Sequence, residues 1–236
     1  MSHYWISILL FSQSIIFGFL GIANQGISHS LTFRNNLNNL SDGMLIGLLL
    51  FGLIPHVMHH WEGSMALLTF YLIMPGIFAW ALGHFLKKFQ NIITLGTALV
   101  FLFHSFIEGL AIGTSFTMLN FTLILISILI HKAIESFCFS NQMQQVSNKV
   151  SLTSFFIILN AVIVMLSFLY GISLKDTMYW LDHAEMYCDL ITVASLVFLI
   201  VFCSQTQHHK SCSHGLNRYN FYGIVLSMLL IIAFSH

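Results

Sequence analysis

The chain has 236 residues, of which 57% are hydrophobic and only 7% charged, against roughly 25% charged in a soluble domain, so an ordinary soluble enzyme is excluded. Its 8 Lys and Arg balance 8 Asp and Glu, leaving no net field to draw in nucleic acid or an acidic partner. Eight membrane helices of about 20 apolar residues would take up about 160 residues, so the chain reads as a single transmembrane unit with no room for a soluble domain.

Along the chain, apolar runs separated by polar breaks predict helices over 4–27, 43–60, 64–86, 92–114, 118–140, 152–172, 187–204 and 220–235. The first has no Lys or Arg ahead of its apolar stretch, a poor fit to a cleaved leader, and is expected to stay as a span. The breaks fall at Arg34 to Asn39, Trp61 to Gly63, Lys87 to Asn91, near Leu119 and Asn120, at Asn141 to Ser151, Ser173 to Asp182 and Gln205 to Tyr219. The runs are long and continuously apolar, without the alternation of a lipid-facing strand, so the expected fold is an all-α bundle of eight transmembrane helices. Arg34, Lys87, Lys88, Lys149, Lys210 and Arg218 fall on one side and only Lys175 on the other, which places both termini outside the cell or in an organelle lumen. Cys138, Cys188, Cys203 and Cys212 form no Cys-x-x-Cys pattern and predict no disulfide framework.

Two runs carry ionisable residues in mid-span. The fourth contains His104-Ser105-Phe106-Ile107-Glu108-Gly109, the fifth His131-Lys132-Ala133-Ile134-Glu135. Residues four apart share a helix face, so each segment offers an imidazole and a carboxylate one turn apart. At about 1.5 Å per residue from Ile92, His104 is about 18 Å deep, near the middle of a bilayer, and His131 is at similar depth. Single polar residues at that depth can simply bond between helices. Four ionisable groups in matched pairs point instead to function, because a charge at the bilayer centre costs at least about 2.5 kcal/mol. A mixed imidazole and carboxylate set suits a borderline divalent ion, zinc first, with iron or manganese as alternatives. Gly109 and Gly113 are spaced for close approach of a neighbouring helix, whether for function or for ordinary packing. Lys132 is expected beside carboxylates, with Glu135 as its partner.

The segment from His104 to Gly113, followed by His131 to Glu135, resembles the fourth- and fifth-helix signatures of ZIP divalent-metal transporters. The resemblance implies a primary metal site of His104, Glu108, His131 and Glu135, a homodimer, and movement of the ion toward the cytoplasm. Ser105 stands where many members have Asn, and Lys132 where some have a carboxylate that helps hold a second metal. The sixth run contains no acid, so a single ion is expected, with the Lys132 charge in the region of the second. Ile107 and Ile134 replace frequent prolines, and the His-rich loop common between the third and fourth helices is reduced to Lys87 to Asn91.

His56, His59 and His60 follow Pro55 at the outer end of the second run. They either gather metal at an entrance or anchor a helix end at the interface beside Trp61. On the opposite side, His208, His209, Cys212 and His214 form a tract that is either an exit site or a solvated loop. The expectation is a multi-pass protein of the plasma membrane or an organelle membrane. It carries Zn2+, with Fe2+ or Mn2+ as alternatives, uses no prosthetic group, and binds the ion and the lipid bilayer but no nucleic acid. It is not expected to be an enzyme, since His-Glu-x-x-His, Gly-x-Ser-x-Gly and Glu-x-x-His are all missing. The alternatives are an intramembrane zinc-dependent hydrolase and a metal sensor that does not transport.

Overall fold

A long apolar run that leaves water has to satisfy its backbone internally, and a helix does this within one segment. The computed structural model of the chain describes residues 2–26, 31–61, 63–86, 90–115, 121–147, 149–175, 181–207 and 218–234, and among these there is no strand. The helices are α1 (Ser2–Gly26), α2 (Leu31–Leu48), a π-helical turn (Leu49–Leu53), α3 (Ile54–His60), α4 (Met65–Leu86), α5 (Gln90–Ser115), α6 (Phe121–Ser147), α7 (Val150–Lys175), α8 (Leu181–Gln207) and α9 (Arg218–Phe234). Five stretches of the described residues are long and apolar enough to cross a bilayer: Tyr4–Ala23, Asn39–His59, Met65–Phe85, Thr94–Thr114 and Val150–Leu174.

Four boundaries depart from expectation. Helix α2 begins at Leu31, so the polar stretch from Arg34 to Asn39 is helical and not a break. Helix α6 continues to Ser147 through residues read as a loop, and α8 starts at Leu181 and ends at Gln207. In α6 the reason is that polar side chains find protein partners in place of water. Gln142 donates to Asp42 (3.1 Å) and Thr153 donates to Gln144 (3.0 Å).

Between α2 and α3 the Ile54 N–H bonds to the Leu49 carbonyl, five residues back. Pro55 follows directly. Its ring collides with the carbonyl four residues back in a regular helix, and the wider turn makes room for it.

Helix α6 is the centre of the bundle, packed by α1, α2, α5, α7, α8 and α9; α5 also packs on α7 and α8, α2 on α9, and α4 on α8. The α5–α7 seam is backbone against backbone. A Cβ added at Gly113 would lie 2.9 Å from the Gly171 Cα and 3.0 Å from the Ile172 nitrogen, and Gly109 faces Ser167 and the Val164 carbonyl. Small residues there let the helices touch.

The distribution of polarity reverses that of a water-soluble protein. Phe70, Phe78, Trp80 and Phe85 of α4 lie exposed, while His104, Lys132, Glu135 and Asn141 lie in the interior. Such an apolar exterior is suited to lipid.

Candidate metal centre

Helices α5 and α6 bring the two His-x-x-x-Glu segments face to face. His104 Nε2 lies 2.7 Å from Glu135 Oε1 and 3.5 Å from Glu108 Oε2; His131 Nε2 lies 3.2 Å from Glu108 Oε1 and 4.0 Å from Glu135 Oε2. Each imidazole thus meets the carboxylate of the other helix more closely than its own. One donor atom each of His104, Glu108 and Glu135 can be chosen so that all lie within 4.8 Å of one another. His131 sits at the margin, with its side chain 14% exposed.

Lys132 occupies the same space. Its side chain is fully buried, and its Nζ pairs with Glu135 Oε2 at 2.6 Å and with Glu108 Oε2. The ammonium therefore bridges the two helices, touching both carboxylates where a sequence reading supplied only Glu135.

The orientation of His104 comes from α8. Ser195 Oγ donates its one proton to the Thr192 carbonyl (2.9 Å). Toward His104 Nδ1, 2.8 Å away, that oxygen can only accept, as can the Thr192 carbonyl at 3.1 Å. Nδ1 must therefore carry a hydrogen, an assignment made from the bonding network. Nε2 is left facing two carboxylates, and at 2.7 Å from Glu135 Oε1 two acceptors need a cation between them, either a proton on Nε2 or a metal ion. His104 Nε2, His131 Nε2 and Glu135 Oε1 are buried without a hydrogen bond of good geometry, and Glu108 Oε2 is held by the Lys132 ammonium. Electron pairs that converge in this way fit a cation among them, and a carbonyl or hydroxyl behind a ligating imidazole is the usual support.

Thr192 and Ser195 were missed in the sequence. They form a polar pair three residues apart inside the apolar seventh run, a spacing that puts both on one helix face. Of the other predicted positions, His59 is exposed on α3, and the side chains of His56 and His60 lie outside the described part. His208, His209, Cys212 and His214 also lie outside the described residues. Neither Cys138 nor Cys188 is joined in a disulfide.

No family model matches the chain, and no curated protein matches it either.

Proposed function

We propose that the chain carries divalent metal cations, zinc first and iron or manganese as alternatives, toward the cytoplasm through the His104, Glu108, His131 and Glu135 site. The observation that carries this reading is the commitment of His104 Nδ1 to Thr192 and Ser195, which turns Nε2 onto Glu108 and Glu135. Location adds support, since a ligand set enclosed by helices within a membrane-crossing bundle marks an ion pathway more often than a resting structural contact. The likeness of the two segments to the ZIP signatures points the same way. The proposal includes eight spans with outward or lumenal termini, pairing of two chains, and residence in the plasma membrane or an organelle membrane.

One feature favours a second reading. Lys132 already neutralises part of the carboxylate charge, as it would in a static ion-pair network that only fixes α5 to α6. The two readings differ in metal content. Transport predicts radioactive zinc uptake above background in cells making the protein, and one tightly held equivalent of zinc per purified chain. Alanine at His104, Glu108, His131 or Glu135 should lower affinity by more than about tenfold, because removal of a buried ligand leaves the others unsatisfied. A static network predicts no bound zinc and no uptake. A lipid or peptide hydrolysis assay on the purified protein covers the enzymatic alternative, and zinc binding without uptake or turnover would mark a sensor.

A further inference from the structure

The metal-facing side of α6 does not end at Glu135. His131, Glu135, Cys138 and Gln142 recur at intervals of four, three and four residues, which keeps them on one helix face. Beyond Glu135 this face meets α2: Cys138 Sγ donates to the Ser41 carbonyl at 3.3 Å, and Gln142 Nε2 donates to Asp42 Oδ1 at 3.1 Å. Seven residues of helix place Gln142 about 10 Å along the axis from Glu135. The direction is toward the α6–α7 connection, the side that the loop cations assign to the cytoplasm.

Asp42 is a carboxylate inside the membrane-crossing stretch Asn39–His59. Among the described residues its partner is the neutral amide of Gln142, and no Lys, Arg or His pairs with it. Glu108 and Glu135, by contrast, share the Lys132 ammonium. The preceding residue, Ser41, is 1% exposed, and its Oγ has no hydrogen-bond partner among the described residues. An acid held at such a position without a cation marks an ion pathway by default.

Both faces are closely packed, since Cys138 itself lies in an apolar cluster with Leu45, Leu49 and Ile134, and what distinguishes the adjacent face of α6 is that Phe139 and Met143 bring no polar group to it. There the rings of Phe101 and Phe139 stack at 3.6 Å between centroids, within an apolar cluster with Met143, Phe156 and Leu199. A hydrated cation has nothing to bind along that wall. The polar face toward α2 has a carboxylate, an amide, a thiol and a backbone carbonyl.

We propose that Asp42, held by Gln142 across the α2–α6 contact, is a second binding carboxylate for the divalent cation, a relay between the midplane centre and the inner end of the bundle. The step rests on the transport reading. A relay has to be weaker than the site that feeds it, because conduction needs binding favourable enough to receive the ion and weak enough to let it go. One carboxylate with neutral neighbours meets that requirement beside a centre with two.

The test is zinc titration of the purified full-length protein together with zinc uptake in cells, for the unaltered chain, Asp42→Asn, Asp42→Glu and Glu108→Ala. The unaltered chain should bind one tight and one weak equivalent. Asp42→Asn, which is isosteric, should keep the tight equivalent, lose the weak one, and lower maximal uptake by about tenfold at equal membrane abundance. Asp42→Glu should restore both the weak equivalent and at least half of the uptake. Glu108→Ala should lose the tight equivalent and keep the weak one. A weak equivalent that survives Asp42→Asn overturns the relay, as does uptake by Asp42→Asn at the unaltered rate. Loss of the tight equivalent in Asp42→Asn would equally overturn it, by showing that Asp42 acts only through the fold. If the unaltered chain moves no zinc but shows the weak equivalent lost in Asp42→Asn, the transport reading fails and the second site stands.

Discussion

In the proposed transport cycle, Lys132 sets the balance between holding an ion and releasing it. With its ammonium removed, Glu108 and Glu135 face each other in the interior without a fixed cation, so Lys132→Ala should hold zinc more tightly and release it more slowly. Both the half-saturating concentration and the maximal rate of uptake should fall. Breaking a buried pair from one side costs about 3–5 kcal/mol, so the metal-free variant should melt earlier and recover when zinc is added. Unchanged kinetic constants in a correctly inserted protein would place Lys132 off the pathway. A second residue-scale prediction concerns Ser195→Ala, which removes one of the two acceptors behind His104 Nδ1. Zinc affinity should fall by about tenfold, the low end of what a lost supporting partner costs, because the Thr192 carbonyl remains. The His104, Glu108, His131 and Glu135 set was legible because ionisable residues stand out in an apolar run. Thr192, Ser195 and Asp42 were not. The first two are ordinary in any helix until their partner across the bundle is known, and Asp42 fell one residue outside a helix predicted to begin at 43.

The elements themselves were legible from apolar length, and their ends were not. A polar residue bonded to a neighbouring helix has the same letter as one bonded to water, so the stretch from Asn141 to Ser147 reads as a loop until Asp42 and Thr153 are seen beside Gln142 and Gln144. Packing within α5 gives a contrast that stability can measure. Nothing lies within 4 Å of a Cβ added at Gly96, whereas one at Gly113 would strike the Phe168 carbonyl and Gly171. Gly96→Ala should be neutral or stabilising by up to about 1 kcal/mol. Gly113→Ala should destabilise by about 1–3 kcal/mol as α5 is pushed from α7, and should weaken zinc binding by moving His104 and Glu108 with it. Equal melting temperatures for the two variants would contradict the tight α5–α7 seam. The π-helical turn and Pro55 belong together in the same way. A π turn is an α-helix carrying one additional residue, so deletion of Phe51 should be tolerated better with Pro55→Ala than alone. In the single deletion the proline ring again meets a carbonyl four residues back.

For the whole molecule, thiol labelling checks the orientation. In a chain lacking Cys188, Cys212 should react with a membrane-permeant reagent and be silent to an impermeant one added outside intact cells, because its loop carries Lys210 and Arg218. Labelling by the impermeant reagent would invert the orientation and exchange the roles of the entrance and exit histidines. The bridging Lys132 also has an electrical consequence. With neutral imidazoles, two glutamates and one lysine give the empty centre a charge of −1, and one divalent ion makes it +1. Each such charge crossing the full field exchanges about 2.3 kcal/mol per 100 mV with the membrane. In the proposed transport cycle the potential would act with equal strength on the inward movement of the loaded centre and on the return of the empty one. In Lys132→Ala the loaded centre is neutral and the empty one carries −2, so under voltage clamp the whole voltage dependence should pass to the return step.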